Sequence, residues 1–284
     1  MYAITGITGK VGGAVARTLR RQNQDVRAIV RDAGKGRDWA SVGCDIAIAD
    51  FADTASLTTA FSGTAGVFIV LPPVFDPSEG FPEARAMIAN IKAALIAARP
   101  PKAVVLSTIG SDATQTNLLS QLGILEADLS GLDLPVTFLR PAWFMENAAW
   151  DVGDAKNGVI HSYLQPLDKV FPMVATEDVG QLAAALLLET WSGVRLIELE
   201  GPVRVSPNDL AAVFSVVLGH EVRAEIVERA GWEDLFRGQG MTNPLPRMRM
   251  LDGFNAGWID FPQARARHGT TTLAEVVQAL VANG

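Results

Sequence analysis

Short, almost continuously apolar runs alternate along the first half of the chain with segments whose apolar residues recur every three or four positions. The apolar runs predict strands at 2–5, 26–30, 45–48, 66–71, 103–107 and 136–139. Strands apolar at nearly every position belong in a sheet covered on both faces. Between them, Val11, Ala14, Val15 and Leu19 form one helical stripe, and Ala84, Met87, Ile88, Ile91 and Leu95 form another. Six such strands with crossover helices predict an α/β fold, a Rossmann-type doubly wound parallel sheet.

After Pro141 the pattern loosens into aromatics, glycines and short runs, then resumes at helical spacing with Val179, Leu182, Ala183, Leu186 and Leu187. Thr176 is the predicted N-cap of that helix, and Glu177 and Asp178 put negative charge in its first turn, where the helix dipole favours it. Ser206-Pro207 predicts a capped start before Leu210, Val213, Phe214 and Val217. Thr272 with Glu275 forms a capping box before Val276, Val277 and Leu280. With strands at 196–199 and 221–227, these helices predict a smaller C-terminal α/β substrate lobe. The division is then a dinucleotide-binding domain at 1–150, joined by the helix at 176–190, and a substrate lobe at 151–284. No internal repeat or low-complexity linker separates them, so the lobes are expected to pack closely.

The bulk numbers narrow the classes. A formal net charge of −7 removes overall attraction to nucleic acid or anionic lipid, and Arg17, Arg20 and Arg21 are taken as a solvated helix face. The single cysteine, Cys44, cannot form an internal disulfide and stands at the head of a strand expected to be buried, which fits a reducing, cytoplasmic setting. The first strand begins at Tyr2 with no basic region, apolar core or small-residue cleavage site, so no secretory signal is expected. The longest nearly apolar run, 65–75, carries Pro72 and Pro73 and is shorter than a membrane span, so no membrane association is expected. His161, His220 and His268 have no metal-ligand spacing, and no Gly-x-Ser-x-Gly elbow points to a hydrolase.

Candidate chemistry begins directly after the first strand. Gly6, Gly9 and Gly12 form G-x-x-G-x-x-G between that strand and the first helix. Glycines there permit a tight turn and let backbone amides approach a pyrophosphate at a helix N-terminus. The second strand ends at Arg31, where an acid would take the ribose hydroxyls and a guanidinium can pair with a 2′-phosphate. Lys35 lies close enough to help, so NADPH is the expected cofactor. Asp32 is the competing group: on the preferred reading it is a solvent-facing turn residue, and on the other it binds a ribose and favours NAD. Asp50 and Phe51 either border the adenine or simply make a turn with a ring packed beneath it. Leu71, Pro72 and Pro73 end the fourth strand at the carboxyl edge of the sheet, where they wall a ligand, stop the strand, or do both.

Thr5-Gly6-Ile7-Thr8-Gly9-Lys10-Val11-Gly12, Ile29-Val30-Arg31-Asp32, Leu139-Arg140-Pro141-Ala142-Trp143-Phe144-Met145-Glu146-Asn147 and Thr176-Glu177-Asp178-Val179-Gly180 together resemble the NmrA-like family of atypical short-chain dehydrogenases. The likeness continues through Ile197-Glu198-Leu199-Glu200-Gly201-Pro202 and Ser206 onward, so it spans nearly the whole chain. The resemblance implies that Thr8, Gly9, Lys10 and Val11 hold the pyrophosphate and that Arg31 and Lys35 hold the 2′-phosphate. It also places Trp143, Phe144 and Asn147 near the nicotinamide, although Trp143 and Phe144 serve equally as packing between lobes. Such families include NADPH-dependent quinone reductases, azoreductase-like enzymes and regulators that sense the nucleotide without catalysis.

One departure separates binding from chemistry. Short-chain dehydrogenases use Tyr-x-x-x-Lys, the lysine lowering the phenol pKa so that tyrosine can act as an acid. Here the two tyrosines, Tyr2 and Tyr163, have no lysine four residues later. Many relatives keep a lysine three residues before the glutamate matching Glu126, and that position is Gly123. Ser107 and Thr108 are the nearby hydroxyls, and neither is assigned a catalytic role. A quinone tolerates this loss, because hydride can go to an electron-poor ring and water can complete the protonation. The expected function is hydride transfer from NADPH to a quinone or similar small acceptor, with no catalytic residue assigned. The alternative is a non-catalytic NADP(H)-binding redox sensor acting through a protein partner. A homodimer is the other association open to the chain, with 93–98 offering an apolar helical surface.

Overall fold

Eight parallel strands form the central sheet of the computed structural model, which describes residues 1–261 and 266–283. The first six are β1 (Tyr2–Ile4), β2 (Val26–Val30), β3 (Asp45–Ile48), β4 (Gly66–Val70), β5 (Ala103–Leu106) and β6 (Val136–Pro141). Two-residue β7 (Trp143–Phe144) and β9 (Met173–Val174) pair with each other, and β8 (Val159–Ser162) pairs with β11 (Arg223–Ile226). The main sheet is completed by β10 (Val194–Glu200) and β12 (Arg267–His268), in the order β12-β10-β6-β5-β4-β1-β2-β3. Strand order reverses between β1 and β4, and a crevice at their carboxyl ends follows from that reversal.

The helices are α1 (Lys10–Arg21), α2 (Arg37–Ser41), α3 (Thr54–Phe61), α4 (Pro82–Ala98), α5 (Ser120–Leu129), α6 (Val152–Ala155), α7 (Thr176–Leu188), α8 (Pro207–Leu218), α9 (Trp232–Gly238), α10 (Leu245–Ala256) and α11 (Leu273–Asn283). Period-two alternation splits each central strand between two cores. Tyr2, Ile4, Phe68, Val104 and Leu139 face α1 and α7, whereas Ala3, Val67, Ile69, Val105 and Phe138 face α3, α4 and α5. The predicted stripes of α1, α4 and α7 are the faces that pack on the sheet. Among the described residues no helix is long and apolar enough to cross a membrane.

Four expectations change. The sheet has eight strands rather than six, and 196–199 belongs to it: β10 pairs in parallel with β6 from Val194 to Leu199 instead of joining the smaller lobe. Which strand another pairs with is a long-range choice that periodicity does not record. Cys44 is buried, but β3 is the outermost strand and its residues are half or fully exposed. Thr176 is not the cap of α7: Ala175 holds that position, and the Thr176 hydroxyl is drawn instead to Glu146. Arg17 and Arg21 are more than a solvated face, since both reach Glu177 on α7, at 2.9 and 3.3 Å. Ser206 caps α8 as read, and with Asp209 it completes a capping box beyond the expected cap; the Thr272 box with Glu275 forms as read.

Candidate cofactor site

The turn after β1 is built around Gly6, whose φ of +60° lies in the left-handed region that favours glycine. Its carbonyl accepts from the Gly9 amide at 2.9 Å, and the Thr5 hydroxyl accepts from the Val70 amide at 2.7 Å, tying the turn to the end of β4. A Cβ on Gly12 would stand 2.3 Å from the Gly6 carbonyl oxygen, so only glycine lets α1 start this close to the turn. The N-cap of α1, Gly9, makes no side-chain cap, and no acid stands in its first turn. The first amides and the positive end of the dipole therefore face the crevice without an internal anion.

A cavity of about 230 Å³ opens there. One wall is Gly6, Gly9, Lys10, Val11 and Gly12; Val70 and Leu106, at the ends of β4 and β5, add apolar surface; Phe144, Glu146, Asn147 and Thr176 close the far side. That far side comes from the end of β7, the 3₁₀ segment Met145–Trp150 and the start of α7. Glu146 Oε1 accepts from the Thr176 amide at 2.8 Å and hydroxyl at 2.5 Å, and Lys10 Nζ reaches the Glu146 carbonyl at 3.4 Å. The other Glu146 oxygen, Oε2, is buried without a partner. An orphaned buried acceptor at the wall of a cavity fits a ligand that brings an N–H or O–H donor, such as a carboxamide or a ribose hydroxyl. These residues suit a dinucleotide: amides for phosphate at one end, apolar walls for a flat ring at the other.

Residues 2–251 match the model of the NmrA-like family. The chain belongs to that family. Among curated relatives it is 26% identical over 250 residues to the NAD(P)H azoreductase of Xenophilus azovorans, covering 86% of this chain and 83% of that one. It is also 26% identical to quinone oxidoreductase 2 of Escherichia coli, across 99% of this chain and 98% of the relative. Among solved structures, an NADPH-dependent quinone oxidoreductase from Escherichia coli, complexed with NADPH, superimposes with a TM-score of 0.82 at 25% identity and covers 99% of both chains. Citrobacter triphenylmethane reductase shares the fold, with a TM-score of 0.80 at 20% identity over 99% of each chain.

The other residues singled out in this NmrA-like chain are placed as follows. Arg31 and Lys35 stand exposed beyond the carboxyl end of β2. Asp32 turns back to cap the 3₁₀ segment Ala33–Gly36, accepting the Lys35 amide at 3.1 Å. Asp50 starts a turn by accepting the Ala52 amide at 2.8 Å, and Phe51 packs against the core on the α3–α4 side. Thr8 is exposed and forms no part of the cavity wall. Leu71 and Pro72 are not brought to the glycine cavity either: Val70 takes that wall, and they line a neighbouring cleft of about 120 Å³ with Phe75, Leu118 and Leu122. Trp143 stands edge-on to Phe254, 5.3 Å between centroids, a packing position one residue from the cavity. Sequence reasoning missed Glu146, Thr176, Val70 and Leu106 as walls. The one available signal was Glu146 itself, an acid within the otherwise apolar and amide-bearing run Trp143–Asn147.

Beside the crevice lies a buried ion pair. Arg140 on β6 holds Glu126 of α5 through two bonds, Nε to Oε1 at 2.8 Å and Nη2 to Oε2 at 2.6 Å, and reaches Asp112 at 2.7 Å. Both Ser107 and Ser111 donate their hydroxyls to Glu126 Oε1. Ser107 is thus committed to a structural network, consistent with its having no catalytic assignment. Gly123 explains itself as well, because a Cβ there would stand 2.2 Å from the Ser111 carbonyl oxygen. The loop after β5 occupies the space a lysine at this position would need.

A second acid is perturbed near the end of the 3₁₀ segment. Burial pushes the Asp151 carboxyl up to about 7; the neighbouring Asp154 adds to the rise and His161 opposes it. Because this value lies above the unfolded one of about 4, the folded state binds more protons between these limits, and stability falls as pH rises from about 4 to about 7. Asp151→Asn is expected to flatten that slope and gain about 2 kcal/mol over wild type at pH 8, after allowance for solvent screening. Urea unfolding at pH 4.5 and pH 8 measures it, and an unchanged pH dependence in the variant refutes the assignment.

Proposed function

We propose that this protein is an NADPH-dependent oxidoreductase that passes hydride to a quinone or a similarly flat small acceptor. The observation that carries the reading is the cavity itself, which joins an uncapped, glycine-built helix N-terminus to apolar walls and an unpartnered Glu146 oxygen. The likeness to an azoreductase and to a quinone oxidoreductase solved with NADPH supports it.

NADPH, when bound, supplies the hydride. The amides of Gly9 to Gly12 would bind the pyrophosphate, and Arg31 with Lys35 would bind the 2′-phosphate. Val70, Leu106 and Phe144 would exclude water from the reacting ring, while Glu146 Oε2 and Asn147 orient its polar substituent. Lys10 and Glu146 are the titratable groups of the wall, and Lys10 is already drawn to the Glu146 carbonyl. With no assigned acid, solvent protonates the reduced acceptor. On this reading residues 1–150 with α7 hold the nucleotide and residues 151–284 shape the acceptor side, apart from β10 and β12.

Parallel titration with NADPH and NADH, followed by an acceptor panel monitored through nicotinamide absorbance, tests the proposal. Wild type is expected to prefer NADPH, and Arg31→Ala to lose about ten- to a hundredfold in NADPH affinity with little change for NADH, the scale of one charge-assisted contact. Equal affinities of the wild type for the two nucleotides overturn the Arg31 assignment, and no turnover across the panel overturns the hydride reading.

A nucleotide-responsive regulator is the second reading. It is favoured by the missing Tyr-x-x-x-Lys and by the Gly123 position, closed to lysine by the Ser111 carbonyl. Partner capture that differs between NADPH and NADP, in the absence of turnover, selects it.

A further inference from the structure

Arg247 is a half-buried cation with no ion-pair partner among the described residues. Its Nη1 hydrogen bond goes to the Met241 thioether at 3.8 Å, a weak acceptor, and its guanidinium lies 4.3 Å from the centre of the Phe236 ring. Other arginines of the chain differ: Arg140, Arg204, Arg229 and Arg237 each have a carboxylate oxygen within 2.6 to 3.0 Å. A guanidinium carries five N–H donors, so most of Arg247's hydrogen-bonding capacity is unspent where solvent is restricted.

Its position follows from α10. Arg247, Met250, Leu251 and Phe254 lie at spacings of three and four, one stripe of the helix. Met250, Leu251 and Phe254 are buried, and Phe254 meets Trp143, the neighbour of the cavity residue Phe144. The start of the helix is pinned over the carboxyl edge of the sheet. Asp76 accepts the Thr242 and Asn243 amides at 2.8 and 2.7 Å, and the Pro246 carbonyl accepts from the Leu118 amide at 2.9 Å. Those two loops, after β4 and before α5, also line the cleft of Leu71, Phe75 and Leu118. Arg247 is seven residues before Phe254 on this stripe, a rise of about 10 Å along the helix axis. The rings of Tyr163 and Phe236, 5.4 Å apart, add an aromatic face beside the guanidinium.

We propose that Arg247 is a specificity-determining residue that selects flat acceptors bearing an anionic substituent, a sulfonate or carboxylate, at the end remote from the reducible group. The inference rests on the hydride-transfer reading only for its turnover test. A planar fork pairs with such a group through two parallel bonds, and the restricted solvent strengthens them. An anion also relieves the burial that pushes the guanidinium's pKa down against the pull of Tyr163.

The test compares 1,4-naphthoquinone with its 6-sulfonate, whose anion sits on the ring remote from the carbonyls, in the full-length wild type, Arg247→Gln and Arg247→Lys. In Arg247→Gln the KM of the sulfonate relative to the neutral quinone is expected to rise at least tenfold, through KM rather than kcat. Arg247→Lys should recover part of it. Calorimetry with 2-naphthalenesulfonate and 2-naphthol, on NADPH-loaded protein, gives a readout independent of turnover: sulfonate binding weakens at least tenfold in Arg247→Gln, and naphthol binding changes much less. An unchanged KM ratio, or equal losses for both probes, overturns the assignment. If no quinone turns over but the sulfonate binding depends on Arg247, the anion site stands and the hydride reading falls.

Discussion

Gly12→Ala is expected to weaken NADPH binding at least a hundredfold, about 2.7 kcal/mol, as read by direct titration of the nicotinamide signal. The added methyl meets backbone, not the yielding end of a side chain: the Gly6 carbonyl oxygen at 2.3 Å and the Thr5 carbonyl oxygen at 2.9 Å. Neither oxygen has room to retreat. Gly6 is held at positive φ with Val70 Cβ 3.1 Å from where its own Cβ would be, and Thr5 is tied to Val70 through its hydroxyl. Helix α1 must therefore tilt away from the turn, and the amides proposed to bind the pyrophosphate lose their common aim. The loss of one or two charge-assisted bonds accounts for the expected magnitude. Stability should fall too, by about 1–3 kcal/mol for overpacking. Gly131→Ala is the control, since nothing lies within 4 Å of a Cβ there and its affinity should match wild type. Binding by Gly12→Ala within threefold of wild type would show that the turn does not hold the phosphate.

Glu126→Ala is expected to cost about 3–5 kcal/mol of folding stability, the scale for removing one partner of a buried pair. Arg140 is 8% exposed and Glu126 12%, so the surviving guanidinium remains in the interior. Asp112 cannot take over, because it is 70% exposed, spends its charge in water and contacts only one edge of the fork. The hydroxyls of Ser107 and Ser111 lose their acceptor in the same step, leaving two more polar groups to satisfy. Arg140→Met alone should cost a comparable amount. The double variant, Arg140→Met with Glu126→Leu, is expected to lose much less than the sum, since removing both charges removes the desolvation penalty with the attraction. Urea unfolding of the three variants gives the cycle; a loss under about 1 kcal/mol for Glu126→Ala refutes the pair's structural importance. Cofactor affinity is a second readout, because β6 leads directly into Phe144 and Glu146.

The glycine turn and the six leading strands were legible because their causes are local. Each strand needed a run of apolar residues, and the turn needed three glycines within seven residues, Gly12 being set by the backbone of Gly6 and Thr5. Arg31 follows directly on β2, whose end at Val30 was legible for the same reason; its part in binding a 2′-phosphate is the proposal that the parallel titration tests. Glu146 was not. Its partner Thr176 lies thirty residues downstream, and its unpaired oxygen exists only once α7 docks beside the 3₁₀ segment. The same cause misplaced the cap: a threonine before a helical stripe is a sound cap by local rules, and tertiary contact with a carboxylate outcompeted the helix's own amides for its hydroxyl. Trp143 and Leu71 stood within a residue of the cavity and still turned elsewhere, because side-chain direction alternates along extended chain.

By itself the sequence determined the parallel α/β class, the position of the glycine turn between β1 and α1 and the absence of Tyr-x-x-x-Lys, since each depends on residue type and short spacing. Only the tertiary structure decided that β10 and β12 extend the main sheet, that Gly123 has no room for a lysine, and that Arg247 is half-buried with no carboxylate partner among the described residues. Those outcomes depend on which distant segments share space, and the energy of a contact between residues far apart in the chain leaves no mark on the pattern of either segment alone.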